Sequence, residues 1–157
     1  MNKKKYTIAQ ILPALNTGGV ERGVVEISKA LVDNSFRSIV ISSGGYMVSQ
    51  ITRNGGIHYD LDVHTKNPLK WPKIRSDLKR ILEIENVDLI HFCSRAPAWI
   101  GVPLGAILDI PIITSVHMRF RKSNIFKKHY NSILTKGNSI IAISKHIEES
   151  IKSSFPK

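Results

Sequence analysis

The chain has 157 residues, 42% of them hydrophobic and 22% charged, a balance that excludes disorder and supports one domain burying roughly 68–70% of its unfolded surface. Its 23 Lys and Arg against 12 Asp and Glu leave a formal charge of +11, a field that attracts phosphorylated small molecules, an anionic membrane surface or nucleic acid. A lone cysteine, Cys93, excludes an internal disulfide and any multi-cysteine metal site, and no apolar run reaches the ~18 residues that span a bilayer.

The basic start at residues 3–5, followed by the apolar residues 6–15, has the outline of a signal peptide, but Gln10 and Pro13 interrupt it and no small-x-small cleavage site follows. Together with the single cysteine, this points to a reducing cytoplasm. Residues 6–12 form the first of six short runs rich in Ile and Val; the others are 38–42, 57–61, 87–92, 112–115 and 139–143. Several are apolar on successive residues, the pattern of parallel strands buried on both faces. The segments between them read as helices. Val20, Val24, Ile27 and Leu31 fall on one stripe, as do Ile74, Leu78, Ile81 and Leu82, and Pro72 and Pro97 occupy first-turn positions. Over residues 98–108, Gly101, Gly105 and Ala106 allow close approach to a neighbour, and Pro103 is expected to kink the helix. Such alternation predicts an α/β fold: a doubly wound, mainly parallel, six-stranded Rossmann-like sheet with helices on both faces.

Ligands of such sheets bind beyond the carboxyl ends of the strands. Residues 16–22 follow strand one; Asp62, His64 and Lys66 follow strand three; Ser94 and Arg95 follow strand four; His117, Arg119 and Arg121 follow strand five; Ser144 and Lys145 follow strand six. Polar, chemically capable residues therefore gather on one edge. Gly18 and Gly19 permit close backbone approach to a ligand, with helix amides behind them for a phosphate or carboxylate. The nicotinamide fingerprint is absent, because the glycine spacing is wrong and strand two ends in Ser42, Ser43, Gly44; no P-loop motif occurs either. His58, His64 and His129 have no metal-ligand spacing and are expected at the surface or sheet edge. The positive charge concentrates in residues 3–5, 66–80 and 119–129, and the second group is equally a solvated helix face.

Four segments, LNTGGVERGVVEISKAL (15–31), IHFCSRAPAW (90–99), TSVHMRF (114–120) and IAISKHIEESI (141–151), resemble the N-terminal domain of family 4 retaining glycosyltransferases of GT-B fold, most nearly those that build lipopolysaccharide or other envelope glycans. The resemblance covers the whole chain, 1–157, as an acceptor-side domain, and implies a neighbourhood beside the donor diphosphate and reacting sugar for Gly18, Gly19 and Glu21. Arg22 either joins them or orients its helix through an ion pair. The resemblance makes His117 the catalytic candidate, a neutral imidazole that hydrogen-bonds a sugar hydroxyl or transition-state charge; otherwise it is a histidine satisfied within the sheet edge. The family commonly has glycine after this histidine, and here Met118 stands there and is expected to crowd the pocket. Relatives carry His-x-Arg-Ser-Arg where this chain has His91, Phe92, Cys93, Ser94, Arg95. Arg95 is then read either as a fork for an anionic acceptor or phosphate, or as half of a structural ion pair.

The family's second domain binds the nucleotide sugar through two glutamates eight positions apart, and no two glutamates here have that separation. The donor site is accordingly expected outside these 157 residues, leaving a half-domain inactive alone. The implied partners are a separately encoded C-terminal domain and a glycan or lipid-linked acceptor; the cations of residues 119–128, mixed with Phe120, Ile125 and Phe126, read either as a surface that meets an anionic membrane or as an ordinary helix surface. The resemblance implies no cofactor, with a nucleotide sugar as donor once the second domain is supplied. The alternative is a non-catalytic remnant that binds anionic membranes or phosphorylated glycans. Nucleic acid is disfavoured, because no recognition motif or sustained basic helix is present.

Overall fold

A computed structural model describes residues 5–65, 67–120 and 125–156. Lys66 and residues 121–124, including Arg121 of the basic stretch, lie outside the described residues, as do the first two lysines of residues 3–5. Six strands, β1 (Thr7–Ile11), β2 (Arg37–Ser42), β3 (Ile57–Asp60), β4 (Leu89–Phe92), β5 (Ile112–Val116) and β6 (Ser139–Ala142), form one sheet in the order β3-β2-β1-β4-β5-β6. Every pairing is parallel. The expected doubly wound sheet is therefore present, and the strand order reverses between β1 and β4, where such sheets open a crevice at their carboxyl ends.

Among the described residues, α1 (Gly19–Asp33), α2 (Val48–Arg53), α3 (Trp71–Ile84), α4 (Arg95–Leu108) and α5 (Ile125–Ser132) lie in the five crossovers, and α6 (Lys145–Ser154) follows β6. The larger core joins Ala9, Ile39, Ile90 and Phe92 of the sheet to Leu78 and Leu82 of α3 and Ile100 and Leu104 of α4. The smaller one joins Leu12, Val40 and Cys93 to Val24 and Val25 of α1 and Ile51 of α2. The two clusters lie on opposite faces of the sheet, so β2 is apolar on both sides, whereas β1 and β4 carry the buried polar residues Gln10 and His91 on one of them.

Two sequence expectations need correction. The inward side of α1 holds Val24, Val25 and Ser28, while Ile27 is 42% exposed. Ser28 turns inward because its hydroxyl bonds that of Ser38 on β2 at 2.8 Å, which sets the rotation of the helix. Helix α4 begins at Arg95, three residues earlier than residue 98, because Ser94 is extended and Pro97 fits within the first turn. It also continues unbroken through Pro103. Proline there denies the Trp99 carbonyl its usual i+4 donor, and Arg75 of α3 compensates: its Nε donates to the Ile100 carbonyl at 2.8 Å and its Nη2 lies 3.5 Å from that of Trp99.

The small residues of α4 do allow close approach, since a Cβ on Gly101 would lie 2.4 Å from the ring of the fully buried Phe92. In the second basic group, Lys79 pairs with Glu83 and Arg80 with Asp77 at the exposed surface of α3, the arrangement of a solvated helix face.

Candidate functional site

A cavity of about 150 Å³ opens at the carboxyl edge where β1, β4 and β5 end. Its polar lining comes from Glu21, Ser94, Arg95, Ser115 and His117, and its apolar lining includes Pro13, Val20, Val116, Phe120 and Leu134. The structure thus brings together Glu21, Arg95 and His117 from three separate crossovers. Gly18, Gly19 and Arg22 are not in the lining. Arg22 lies 4.0 Å from Glu26, with both side chains exposed.

The glycine loop positions Glu21. Gly18 caps α1 without any side-chain bond, and a Cβ on it would come 2.2 Å from the Glu21 carboxylate. Absence of a side chain at residue 18 is therefore what lets that carboxylate fold back toward the helix start. Gly19 has open space around it, as a backbone approached by a ligand requires.

His117 follows β5, and its Nε2 is buried with no hydrogen-bond partner among the described residues. Burial lowers its pKa, while the Glu21 carboxylate acts in the opposite direction. A neutral imidazole results, with one ring nitrogen free. Met118 also lines the cavity but is 64% exposed, so it borders the mouth and does not fill it.

Ser94 and Ser144 have nearly the same extended backbone before α4 and α6, yet they behave differently. Ser144 accepts the Ile147 amide at 3.3 Å, whereas the Ser94 side chain makes no capping bond and joins the cavity wall. Arg95 makes no ion pair in the described structure. Its Nη1 donates to Asn131 Oδ1 at 2.7 Å, and its guanidinium carbon stands 5.6 Å from the centroid of Tyr130.

Beneath the cavity, His91 Nε2 and Ser115 Oγ are 2.6 Å apart and both residues are buried. Burial, with a smaller contribution from His117, pushes the His91 pKa down to about 4. Gln10, opposite His91 across β1 and β4, is fully buried and its amide has no partner among the described residues. Sequence reasoning missed His91, Ser115, Tyr130 and Asn131 as parts of this region. Period-two alternation back from His117 would have found Ser115; no local signal connects Asn131 to Arg95, which is 36 positions away.

Cys93 lines the same cavity but is 4% exposed, and burial pushes its thiol up to about 12. It behaves as a small apolar residue, as expected. The native chain should consequently resist iodoacetamide at pH 8 and react only in denaturant; rapid labelling of the folded protein would contradict this burial.

The other histidines sit away from the cavity. His58 Nε2 lies 2.8 Å from Ser42 Oγ, and His64 Nδ1 is 3.2 Å from Asp62. No group of three or more metal-ligating side chains occurs among the described residues, and no described helix is long and apolar enough to cross a membrane.

The family model described as Glycosyltransferase Family 4 matches residues 17–156. Among solved structures, a glycosyltransferase from Rickettsia africae ESF-5 is 35% identical, with a TM-score of 0.81, over 96% of this chain and 40% of its own. Anabaena Alr3699/HepE in complex with UDP and glucose is 14% identical, with a TM-score of 0.77, over 96% of this chain and 41% of its own. The lipopolysaccharide outer core galactosyltransferase WaaB is 14% identical, with a TM-score of 0.72, over 96% of this chain and 43% of its own. These last two likenesses concern the fold. No curated protein matches the sequence. The chain spans about 40% of the length of the solved relatives named here.

Proposed function

The chain belongs to glycosyltransferase family 4, and we propose that it forms the acceptor-side wall of a sugar-transfer site whose nucleotide-sugar wall is carried by a second domain. The observation that carries this reading is the cavity at the β1/β4 switch point, where Glu21, Arg95 and the unpartnered Nε2 of His117 converge.

In this reading neutral His117 hydrogen-bonds a hydroxyl of the reacting sugar, and Arg95 meets a phosphate or other anionic group of the acceptor or donor. Gly18 and Gly19 let a diphosphate approach the start of α1, whose amides favour negative charge. Glu21 completes the substrate-facing wall, its carboxylate acting on His117. Transfer needs donor and acceptor in a shared cleft that excludes water, and half of that cleft supplies little acceleration. The 157-residue chain alone is therefore expected to be inactive.

An envelope glycan or lipid-linked acceptor is supported by the fold likeness to a lipopolysaccharide galactosyltransferase. Contact with an anionic membrane at the cytoplasmic face is supported by α5, where Ile125 and Phe126 are 76% and 80% exposed beside Lys127 and Lys128, whereas Phe120, expected to share that surface, is buried in the core against Phe155. Apolar insertion and charge attraction reinforce one another at such an interface.

The test is turnover of nucleotide sugars by the chain alone and after addition of a donor-binding domain. We expect no transfer alone and transfer with the added domain, with His117→Ala reducing the restored rate on the order of 10²-fold through loss of one transition-state hydrogen bond. Turnover by the isolated chain, or an unaffected His117→Ala, would contradict the assignment. Membrane binding without any restorable transfer would favour the non-catalytic alternative.

A further inference from the structure

We infer that Asn131 and Tyr130 are positioning residues for Arg95, and that together they make α5 part of a phosphoryl-binding wall. The inference rests on the reading of Arg95 given above and adds what holds it. Asn131 is 8% exposed, and its Oδ1 accepts from Arg95 Nη1 at 2.7 Å. Tyr130 places its ring under the guanidinium at 5.6 Å. The same ring stacks on Trp99 at 6.4 Å with planes 10° apart, and Trp99 Nε1 donates to the Tyr130 carbonyl at 3.0 Å. Arg95 and Trp99 are four positions apart on α4, hence on one side of it, and α5 grips both.

The chemistry of the partner matters. An aspartate at residue 131 would cancel the guanidinium charge, whereas the neutral amide of Asn131 fixes one nitrogen and leaves the full positive charge. Neither Nε nor Nη2 of Arg95 has a partner among the described hydrogen bonds, and Arg95 lines the cavity. A fork held by an amide and an aromatic ring is pre-organised for bidentate contact with a phosphoryl group. The free hydroxyl of Ser94 stands in the same wall. Either a sugar phosphate or a lipid headgroup presents that chemistry.

The experiment uses the 157-residue chain with two probes, α-glucose 1-phosphate in solution and phosphatidic acid in phosphatidylcholine vesicles. Affinity is measured together with the ¹⁵N relaxation of the Arg95 Nε–H signal and the melting temperature. Arg95→Ala is expected to weaken binding of at least one probe about tenfold, and the probe affected identifies the source. Asn131→Ala should weaken the same probe several-fold and mobilise the Arg95 Nε signal. The double variant should bind no more weakly than Arg95→Ala alone, the non-additivity of residues acting through one group. Asn131→Asp should keep Arg95 rigid yet still weaken the probe, because the charge is neutralised. A purely structural Asn131 would lower the melting temperature without this split.

Should Asn131→Ala prove unstable, Asn131→Asp and Tyr130→Leu carry the test. The inference is overturned if Arg95 stays equally rigid in Asn131→Ala, or if the Asn131 and Arg95 effects add. If neither probe binds the unaltered chain, the assignment of Arg95 to anions fails, and the relaxation of Asn131→Ala still decides the positioning claim by itself.

Discussion

Replacing Gly45 by alanine is expected to lower stability by about 3 kcal/mol, combining backbone strain and overpacking of ~1–3 kcal/mol each. Gly45 has φ +134°, a conformation that L side chains rarely adopt, and a Cβ there would come within 2.4 Å of both the carbonyl carbon and oxygen of Leu15. Those are backbone atoms, so no rotamer change relieves the contact. The segment is also tied down: the Leu15 amide donates to the Gly44 carbonyl at 2.7 Å, and the Met47 amide to the Leu15 carbonyl at 2.8 Å.

Leu15 leads directly into the loop that sets Glu21, so the strain should reach the cavity. For a chain of this size, about 3 kcal/mol corresponds to a melting temperature lower by about 10 °C. Gly19→Ala is the control. It has nothing within 4 Å of the added Cβ and should change stability by less than about 0.5 kcal/mol. Equal losses from the two variants, measured by thermal or urea unfolding, would contradict this account of the loop.

Acid is expected to destabilise the chain by about 3 kcal/mol between pH 6.5 and pH 4, mainly through His91. Burial lowers its pKa from 6.5 to about 4, so across that window the unfolded chain binds the proton and the folded one does not. Stability is fully present above pH 6.5 and is lost as pH falls toward the folded value. His58 and His117 are lowered too, burial again being the first cause, and both add in the same direction.

Protonating His91 would place a charge among Gln10, Cys93 and Ser115, with no carboxylate among its hydrogen-bond partners. Urea midpoints at pH 7, 5.5 and 4.5 should fall progressively, and His91→Asn should remove most of that slope. A flat profile in the unaltered chain would mean that His91 is solvated or paired.

Much of this architecture was legible in the sequence because a two-faced parallel sheet imposes a strong pattern. The run at residues 38–42 is apolar on successive positions for the reason that Ile39 and Ile41 pack under α3 and α4 while Val40 packs under α1 and α2. Strand bounds shift by a residue or two, as at β4, which begins at Leu89 instead of residue 87. The helix expected between the second and third strands was not given bounds, because the six-residue α2, less than two turns long, carries no readable period.

Of the site, the residues beyond the carboxyl ends of the strands were readable, and the structure draws Glu21, Arg95 and His117 into one cavity. What was not readable is tertiary. The inward turn of Ser28 depends on meeting Ser38, the unbroken course of α4 depends on Arg75, and the hold on Arg95 depends on Asn131. In each case a polar group finds its partner across two elements, and no periodicity along the chain encodes that meeting.

The most direct measurement of the central claim is the map of amide chemical-shift changes when a nucleotide sugar is added to the ¹⁵N-labelled chain together with the part of the Rickettsia africae protein that this chain does not cover. The account predicts shifts concentrated at residues 17–22, 94–95 and 117–119, along the carboxyl edge of the sheet. Shifts confined to the opposite edge, at residues 34–37 and 85–88, would contradict it.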